Sequence, residues 1–297
     1  MVPYSYFIHP DDEKAMNAMK SVPGFDRIVK KLMEYGYEFM VNSENLASCI
    51  RLSETQLPHI YRKVTRICDC LEIPYPQVYL CMSPYPNAWT YGDTDVSITM
   101  TSALFEYLED DEIDSIIAHE CGHILCHHVL YHTLARFVCM GINGILSDLT
   151  TPLRLAVNYW QRQSELSADR VAALISGADT VVRTQLRLSG GPKSLTNKVN
   201  IKEWSRQAEE YDELCKGNAV DNLIQKINVM DQSHPFSAVR VHEVIEWTSS
   251  KGFQMIKDIT LGKANICPHC HKPVYSGWVY CRHCGEKIKV QDDLAIS

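Results

Sequence analysis

The chain has 297 residues, enough for one large domain or two smaller ones with a full hydrophobic core and no need of disulfides. Its 45% apolar and 22% charged residues are those of a packed, water-soluble protein and exclude collagenous, low-complexity and wholly disordered classes. The net charge of -7 argues against a general nucleic-acid-binding surface, which leaves twelve cysteines and twelve histidines as the outlying counts.

Met1 to Asp12 carries neither a basic stretch nor an apolar run, so no secretory signal is expected. From Ser53 to Leu71 the apolar residues Leu57, Ile60, Tyr61, Val64, Ile67 and Leu71 recur at helical spacing, and Ser53 with Gln56 has the form of a capping box. Gln77 to Met82 is a short β-prone run followed by turn-rich residues 83–87. Val96, Ile98 and Met100 then alternate with Ser97, Thr99 and Thr101, the period-two pattern of a half-buried strand. The acidic cluster Glu109, Asp110, Asp111, Glu112 and Asp114 favours the positive end of a helix macrodipole and opens a long helix expected from about Asp111 to His132.

Phe137 to Ser147 is uncharged but broken by Asn143 and two glycines, and it falls far short of the ~20 residues of a membrane span. Helical periodicity covers Leu153 to Leu188, stops at Ser189-Gly-Gly-Pro192, and resumes over Ile201 to Met230 and Pro235 to Trp247. The expected fold class is therefore α+β, mostly helical with a small sheet. Composition shifts near Leu261, dividing residues 1–260 from residues 261–297. With no signal and no span, the chain is expected in the cytoplasm, its cysteines reduced and any closely spaced ones bound to metal.

His119-Glu120-Cys121-Gly122-His123 lies within the long helix. Two histidines four residues apart share one face, so both imidazoles can reach a single zinc ion, and Glu120 stands beside that face where it can polarise a metal-bound water. Val129 occupies the place of a third histidine in the longer HExxHxxGxxH pattern, so the third ligand comes from elsewhere. Glu165 and Asp169, one turn apart on a later helix, suit a ligand and a carboxylate that fixes the tautomer of a ligand histidine. Taken alone, that pair also fits a solvated helix face.

Four segments in order resemble the HtpX-like and CAAX-prenyl endopeptidases, zinc peptidases of the gluzincin type. They are Asn87-Ala88-Trp89, the His119 to His123 motif followed by His128, Arg162-Gln-Ser-Glu165-Leu-Ser-Ala-Asp169, and His234-Pro-Phe-Ser-Ala-Val-Arg240. The resemblance spans about residues 71–247. It implies a zincin-type domain with its sheet beside the HExxH helix and an endopeptidase acting on peptide or unfolded-protein substrates. It further implies Glu165 as third zinc ligand, Asp169 behind a zinc histidine, His234 at the oxyanion or substrate, and Arg240 pairing with acidic groups. Asn87 and Ala88 would lie beside the bound peptide. Each has a plainer alternative: His234-Pro235 is a good helix start, Asp169 with Arg240 a simple ion pair, Asn87 a turn residue after Pro86. The membrane-bound relatives carry transmembrane helices, whereas only 41 residues separate His123 from Glu165 here, too few for a hydrophobic hairpin.

Cys267, Cys270, Cys281 and Cys284 form CxxC-x10-CxxC, the spacing of two knuckles around one tetrahedral zinc, with rubredoxin-like iron as the alternative metal. Four thiolates leave no open position, so this zinc ribbon is structural, and the expectation is two zinc ions per chain. The ribbon's small basic surplus argues against nucleic acid and leaves substrate docking, a protein partner or self-association as its roles. A non-enzymatic reading, a latent or degenerate peptidase whose ribbon is the working module, stands as the alternative. Cys49, Cys68, Cys70, Cys81, Cys121, Cys126, Cys139 and Cys215 read as buried thiols, and His127 and His132 as exposed helix residues.

Overall fold

The structure, a computed structural model, describes residues 3–34, 36–139, 150–215, 237–260, 265–270, 273–274, 280–281 and 284–287. Its centre is a four-stranded sheet of β1 (Ile50–Arg51), β2 (Gln77–Cys81), β3 (Ala88–Tyr91) and β4 (Ser97–Thr101) in the order β1-β2-β4-β3. β2 runs parallel to β4 with Gln77 opposite Ser97, while β3 lies antiparallel to β4 with Ala88 opposite Met100. β3 is thus an edge strand, and the site is built beside it.

β4 is buried on both faces, not one. Ile98 and Met100 enter the main apolar core; on the other face Asn45 from α3 (Tyr37–Ser48) bonds the hydroxyls of Ser97 and Thr99 at 3.4 Å. Hydrogen-bonded hydroxyls can be buried at little cost, so alternation of polarity did not mark a solvent face.

Helix α4 runs from Pro58 to Leu71, five residues shorter than the periodicity suggested. Pro58 suits the first helical turn, where its missing N–H is not needed. Ser53 and Gln56 form a tight backbone bridge, each N–H bonded to the other's carbonyl, instead of a capping box. After the short α5 (Ser102–Tyr107), α6 (Asp110–Leu125) does open with a capping box, between Glu109 and Glu112. Lys63 of α4 also pairs with Asp110 and Asp114 at 2.7 and 2.8 Å.

The expected helix to His132 breaks after Leu125. His127 takes a left-handed φ of 58°, and a new helix, α7, spans Val129–Cys139. A histidine gives no sequence warning of such a turn, since glycine is the usual occupant. The segment from Leu153 to Leu188 is likewise two helices, α8 (Thr150–Ser176) and α9 (Ala178–Gly190), hinged at Gly177 with φ 86°. After α10 (Lys193–Thr196), α11 covers Ile201–Cys215, and the rest of that expected helix lies outside the described residues. Two further helices follow, α12 (Ser237–Thr248) and α13 (Lys251–Thr260).

α6 and α8 lie against each other at unusually short range. A methyl group at Gly122 would stand 3.0 Å from Ala168 Cα and 3.1 Å from its carbonyl oxygen, so the glycine inside the HExxH motif is what permits the approach. One apolar core, including Ile67, Val78, Ile98, Met100, Ile117 and Val171, fills the space between the sheet, α4, α6 and α8. A second, with Met19, Phe25, Leu134 and Trp160, attaches α1 (Pro10–Lys20) and α2 (Phe25–Glu34) to α7 and α8. Beyond α13, β5 (Asn265–Ile266) and β6 (Pro273–Val274) form a small hairpin.

Among the other thiols, Cys68, Cys121 and Cys126 are buried as expected. Cys70 is exposed, and Cys49 and Cys81 are half-buried.

Candidate active site

Helical spacing on α6 sets His119 and His123 one turn apart, and their Nε2 atoms stand 3.2 Å from each other. The close packing of α8 brings Glu165 onto the same point: Oε2 is 3.4 Å from His119 Nε2, and Oε1 is 3.4 Å from His123 Nε2. All three side chains are buried. Ligand atoms bonded at about 2.0–2.2 Å to a tetrahedral zinc lie roughly 3.3–3.5 Å apart. The three donors fit that separation, and two histidines with one carboxylate is a donor set of catalytic zinc.

Charge leads to the same conclusion. Arg240 of α12 grips Asp169 with Nε and Nη2 at 2.7 and 2.6 Å and reaches Glu165 with Nη1 at 3.1 Å. His119 Nδ1–H donates to Asp169 Oδ1 at 3.0 Å, which in the neutral ring leaves the lone pair of Nε2 for a metal held beside Glu165. Burial resists the charge on Asp169, but Arg240 and, after it, His119 together outweigh burial and hold the carboxyl below its usual range. Burial also resists charge on His119, yet the hydrogen bonds and charges of Asp169 and Glu165 raise it to about 10. His123 moves the other way, depressed by burial and by the neighbouring His119. Glu120, Glu165 and Asp169 outnumber the one guanidinium in a buried site; a proton on His119 offsets part of that excess, and a divalent cation held by a neutral His119 would offset it in full.

Comparison with known proteins agrees with this geometry. The family model described as Peptidase family M48 matches residues 54–248, well over half of the chain and the whole described site. The chain belongs to peptidase family M48. As an M48 member it is a metallopeptidase, and its relatives carry matching names. It is 27% identical over 256 residues to the plastoglobule-localized metallopeptidase 48, chloroplastic, of Arabidopsis thaliana, covering 84% of this chain and 74% of that protein. It is 32% identical over 221 residues to a protease HtpX homolog of Trichormus variabilis, covering 66% of this chain and 75% of that one. The crystal structure of S. mikatae Ste24p aligns with 78% of this chain and 62% of its own at a TM-score of 0.41 and 15% identity.

These relatives correct the cytoplasmic placement expected from the sequence. The relative aligned over most of this chain is named as plastoglobule-localized and chloroplastic, not cytoplasmic. No helix among the described residues is long and apolar enough to cross a membrane, but that property does not specify a compartment.

Two M48 site neighbours, Thr90 and Asp12, escaped the sequence reading, and a third, His128, stood there in a motif without a role. Thr90 of β3 donates to Glu120 Oε2 at 2.6 Å, both side chains being buried. The break at His127 turns His128 beneath the site, where its Nδ1 lies 3.1 Å from His123 Nδ1. His128 Nε2 in turn lies 3.0 Å from Oδ2 of Asp12, on α1. Asp12 also accepts from Trp160 Nε1 and Ser167 Oγ at 3.0 and 2.6 Å; burial opposes its ionisation, but these partners, His128 first, keep its pKa low. The family model begins at residue 54, so Asp12 reaches the site from outside the matched span. His132, expected to be exposed, is half-buried, with Nε2 3.2 Å from Ser164 Oγ; His127 is exposed but sits at the helix break.

Asn87 is tied to β4 through its backbone: its N–H donates to Thr101 Oγ1 at 2.8 Å and its carbonyl accepts from Thr101 N–H at 2.9 Å. Its side chain is exposed, Ala88 is half-buried, and both line the cavity beside His119 and Glu120. His234 lies outside the described residues. At the far end of the chain, the Sγ atoms of Cys267, Cys270, Cys281 and Cys284 lie within 4.8 Å of one another. The Cys267–Cys284 and Cys270–Cys281 separations of 3.8 and 3.6 Å suit a tetrahedral metal with bonds of about 2.3 Å.

Proposed function

We propose that this M48 member is a zinc endopeptidase in which His119, His123 and Glu165 hold the metal and Glu120 is the catalytic base. The mutual 3.2–3.4 Å separation of the three donors, with Glu120 one residue from His119, carries this reading. Zinc held there would lower the pKa of water toward ~7 and polarise a peptide carbonyl. Glu120 takes the proton of the attacking water and returns it to the leaving amine. Thr90 occupies one of its oxygens and leaves the other for that exchange. Asp169 fixes the tautomer of His119, and Arg240 anchors Asp169 and Glu165 together. Asn87 and Ala88, at the start of edge strand β3, border the peptide path, and His234 stabilises the oxyanion as the family resemblance implies.

The second zinc histidine has its own carboxylate. With Nε2 of His123 on the metal, its Nδ1–H donates to His128 Nδ1, and His128 Nε2–H donates to Asp12, so one chain of hydrogen bonds fixes both tautomers. Asp12→Asn is expected to weaken zinc binding roughly tenfold, the lower end of the effect of supporting a ligand from behind. Competition against a chromogenic chelator measures it, and an unchanged affinity would remove Asp12 from the site.

The four ribbon cysteines are proposed to hold a second, structural zinc, with the chain dividing into a peptidase unit to about residue 260 and the ribbon beyond. The reading as a whole is tested by hydrolysis of unfolded casein. Cleavage that stops with a chelator and returns with added zinc is expected; no cleavage by the zinc-loaded chain would overturn it.

A further inference from the structure

A cavity of about 260 Å³ opens beside His119, Glu120 and Glu165, between α6 and α9. Its far walls are apolar, supplied by Leu104, Ile116, Val181 and Leu188. Ser115, Thr184 and Gln185 are among the polar residues that interrupt them. Gln185 and Ser115 are 4% and 2% exposed and line the cavity; neither side chain has a hydrogen-bond partner among the described residues, and their polar atoms are not among the sealed, unpaired ones, so they open on the cavity. Neighbouring Thr184, by contrast, is satisfied within its own helix by the Thr180 carbonyl at 2.8 Å. A carboxamide and a hydroxyl left over on the wall of a cavity, next to the reacting centre, are placed to pair with whatever enters it.

We propose that this cavity is the specificity pocket for a substrate side chain flanking the scissile bond, and that it selects glutamine. The inference rests on the metallopeptidase reading above and names its substrate class. The apolar walls suit an aliphatic stem, and the Gln185 carboxamide presents both a donor and an acceptor, the complement of a second carboxamide. Ser115 adds a hydroxyl of either sense. An acidic tip would add a further carboxylate beside Glu120, Glu165 and Asp169, with Arg240 already held by the last two. A basic tip would meet the cation of the site itself.

The test uses the zinc-loaded full chain and peptides built on a cleavage site mapped in casein, with glutamine or the equally long methionine at each residue flanking the scissile bond. At one flanking position, kcat/KM for glutamine is expected to exceed that for methionine about tenfold, because a pocket built to hydrogen-bond a substrate group rejects the analogue that lacks it. Gln185→Met should bring the two within about twofold, and Ser115→Ala should narrow the gap. Equal cleavage of the pair at both positions by the unaltered chain overturns the pocket assignment while leaving the peptidase reading intact. Failure to cleave any peptide or casein brings down the peptidase reading, and the pocket with it. Should Gln185→Met fail to fold, the comparison in the unaltered chain still decides.

Discussion

Glu120→Gln is expected to lower kcat by roughly three orders of magnitude, within the range of general acid–base catalysis, while zinc content stays at its original value. The carboxamide has the size of the carboxylate and can still accept the Thr90 hydroxyl, so the shape of the site is kept. What disappears is the ability to take and return a proton. Glu120 is not among the three converging donors, which is why the metal should remain. Steady-state hydrolysis measured beside metal analysis checks both halves. A variant that keeps more than about a tenth of the activity would remove Glu120 as base.

Arg240→Met should produce the largest loss of stability, about 3–5 kcal/mol at neutral pH in the metal-free chain. It strips the guanidinium from Asp169 and Glu165, whose side chains are almost wholly buried, and leaves His119 to face both carboxylates beside an apolar methionine. Arg240→Lys should recover only part of the loss, since one ammonium cannot reproduce the fork of Nε, Nη1 and Nη2 contacts. The pH dependence has a definite sign. Asp169 has a folded pKa below the ordinary 3.8, so its contribution is full above about pH 4 and is lost as pH falls through the folded value. In the variant, burial is no longer outweighed, so the gap between the two proteins should narrow in acid. Chemical unfolding at pH 7 and near pH 4 gives the comparison; a gap under about 1 kcal/mol at pH 7 would show that the guanidinium is not anchoring the carboxylates.

Much of the site was legible because its residues lie in motifs whose spacing has a mechanical meaning. Two histidines at i and i+4 must share a helix face, as His119 and His123 do, and a carboxylate pair at the same spacing must share another, as Glu165 and Asp169 do. The pairing of the two faces is not written in spacing, and there the family resemblance supplied Glu165. Residues from unrelated segments stayed hidden. Thr90 stands in β3, a four-residue strand whose sequence carries no alternating pattern to mark it, and Asp12 lies 116 residues before His128 in an acidic helix start. Their roles arise only when β3 and α1 pack against α6 and α8. The same limit applied to the helix breaks. Gly177 is a familiar hinge, but His127 enters a left-handed turn that a histidine takes more often than most side chains yet too rarely to announce from sequence. Location was the least legible property, since composition and hydropathy record what a chain can cross, not where it is sent.

Metal stoichiometry tests the account at its centre. Zinc should be measured in the purified chain, in Glu165→Ala and in Cys267→Ser, with casein hydrolysis followed in all three. Two zinc ions per chain are predicted, with each variant losing a different one and only Glu165→Ala losing hydrolysis through the loss of its metal. Full zinc content in Glu165→Ala, or an active Glu165→Ala enzyme, would contradict the assignment of His119, His123 and Glu165 as the catalytic centre.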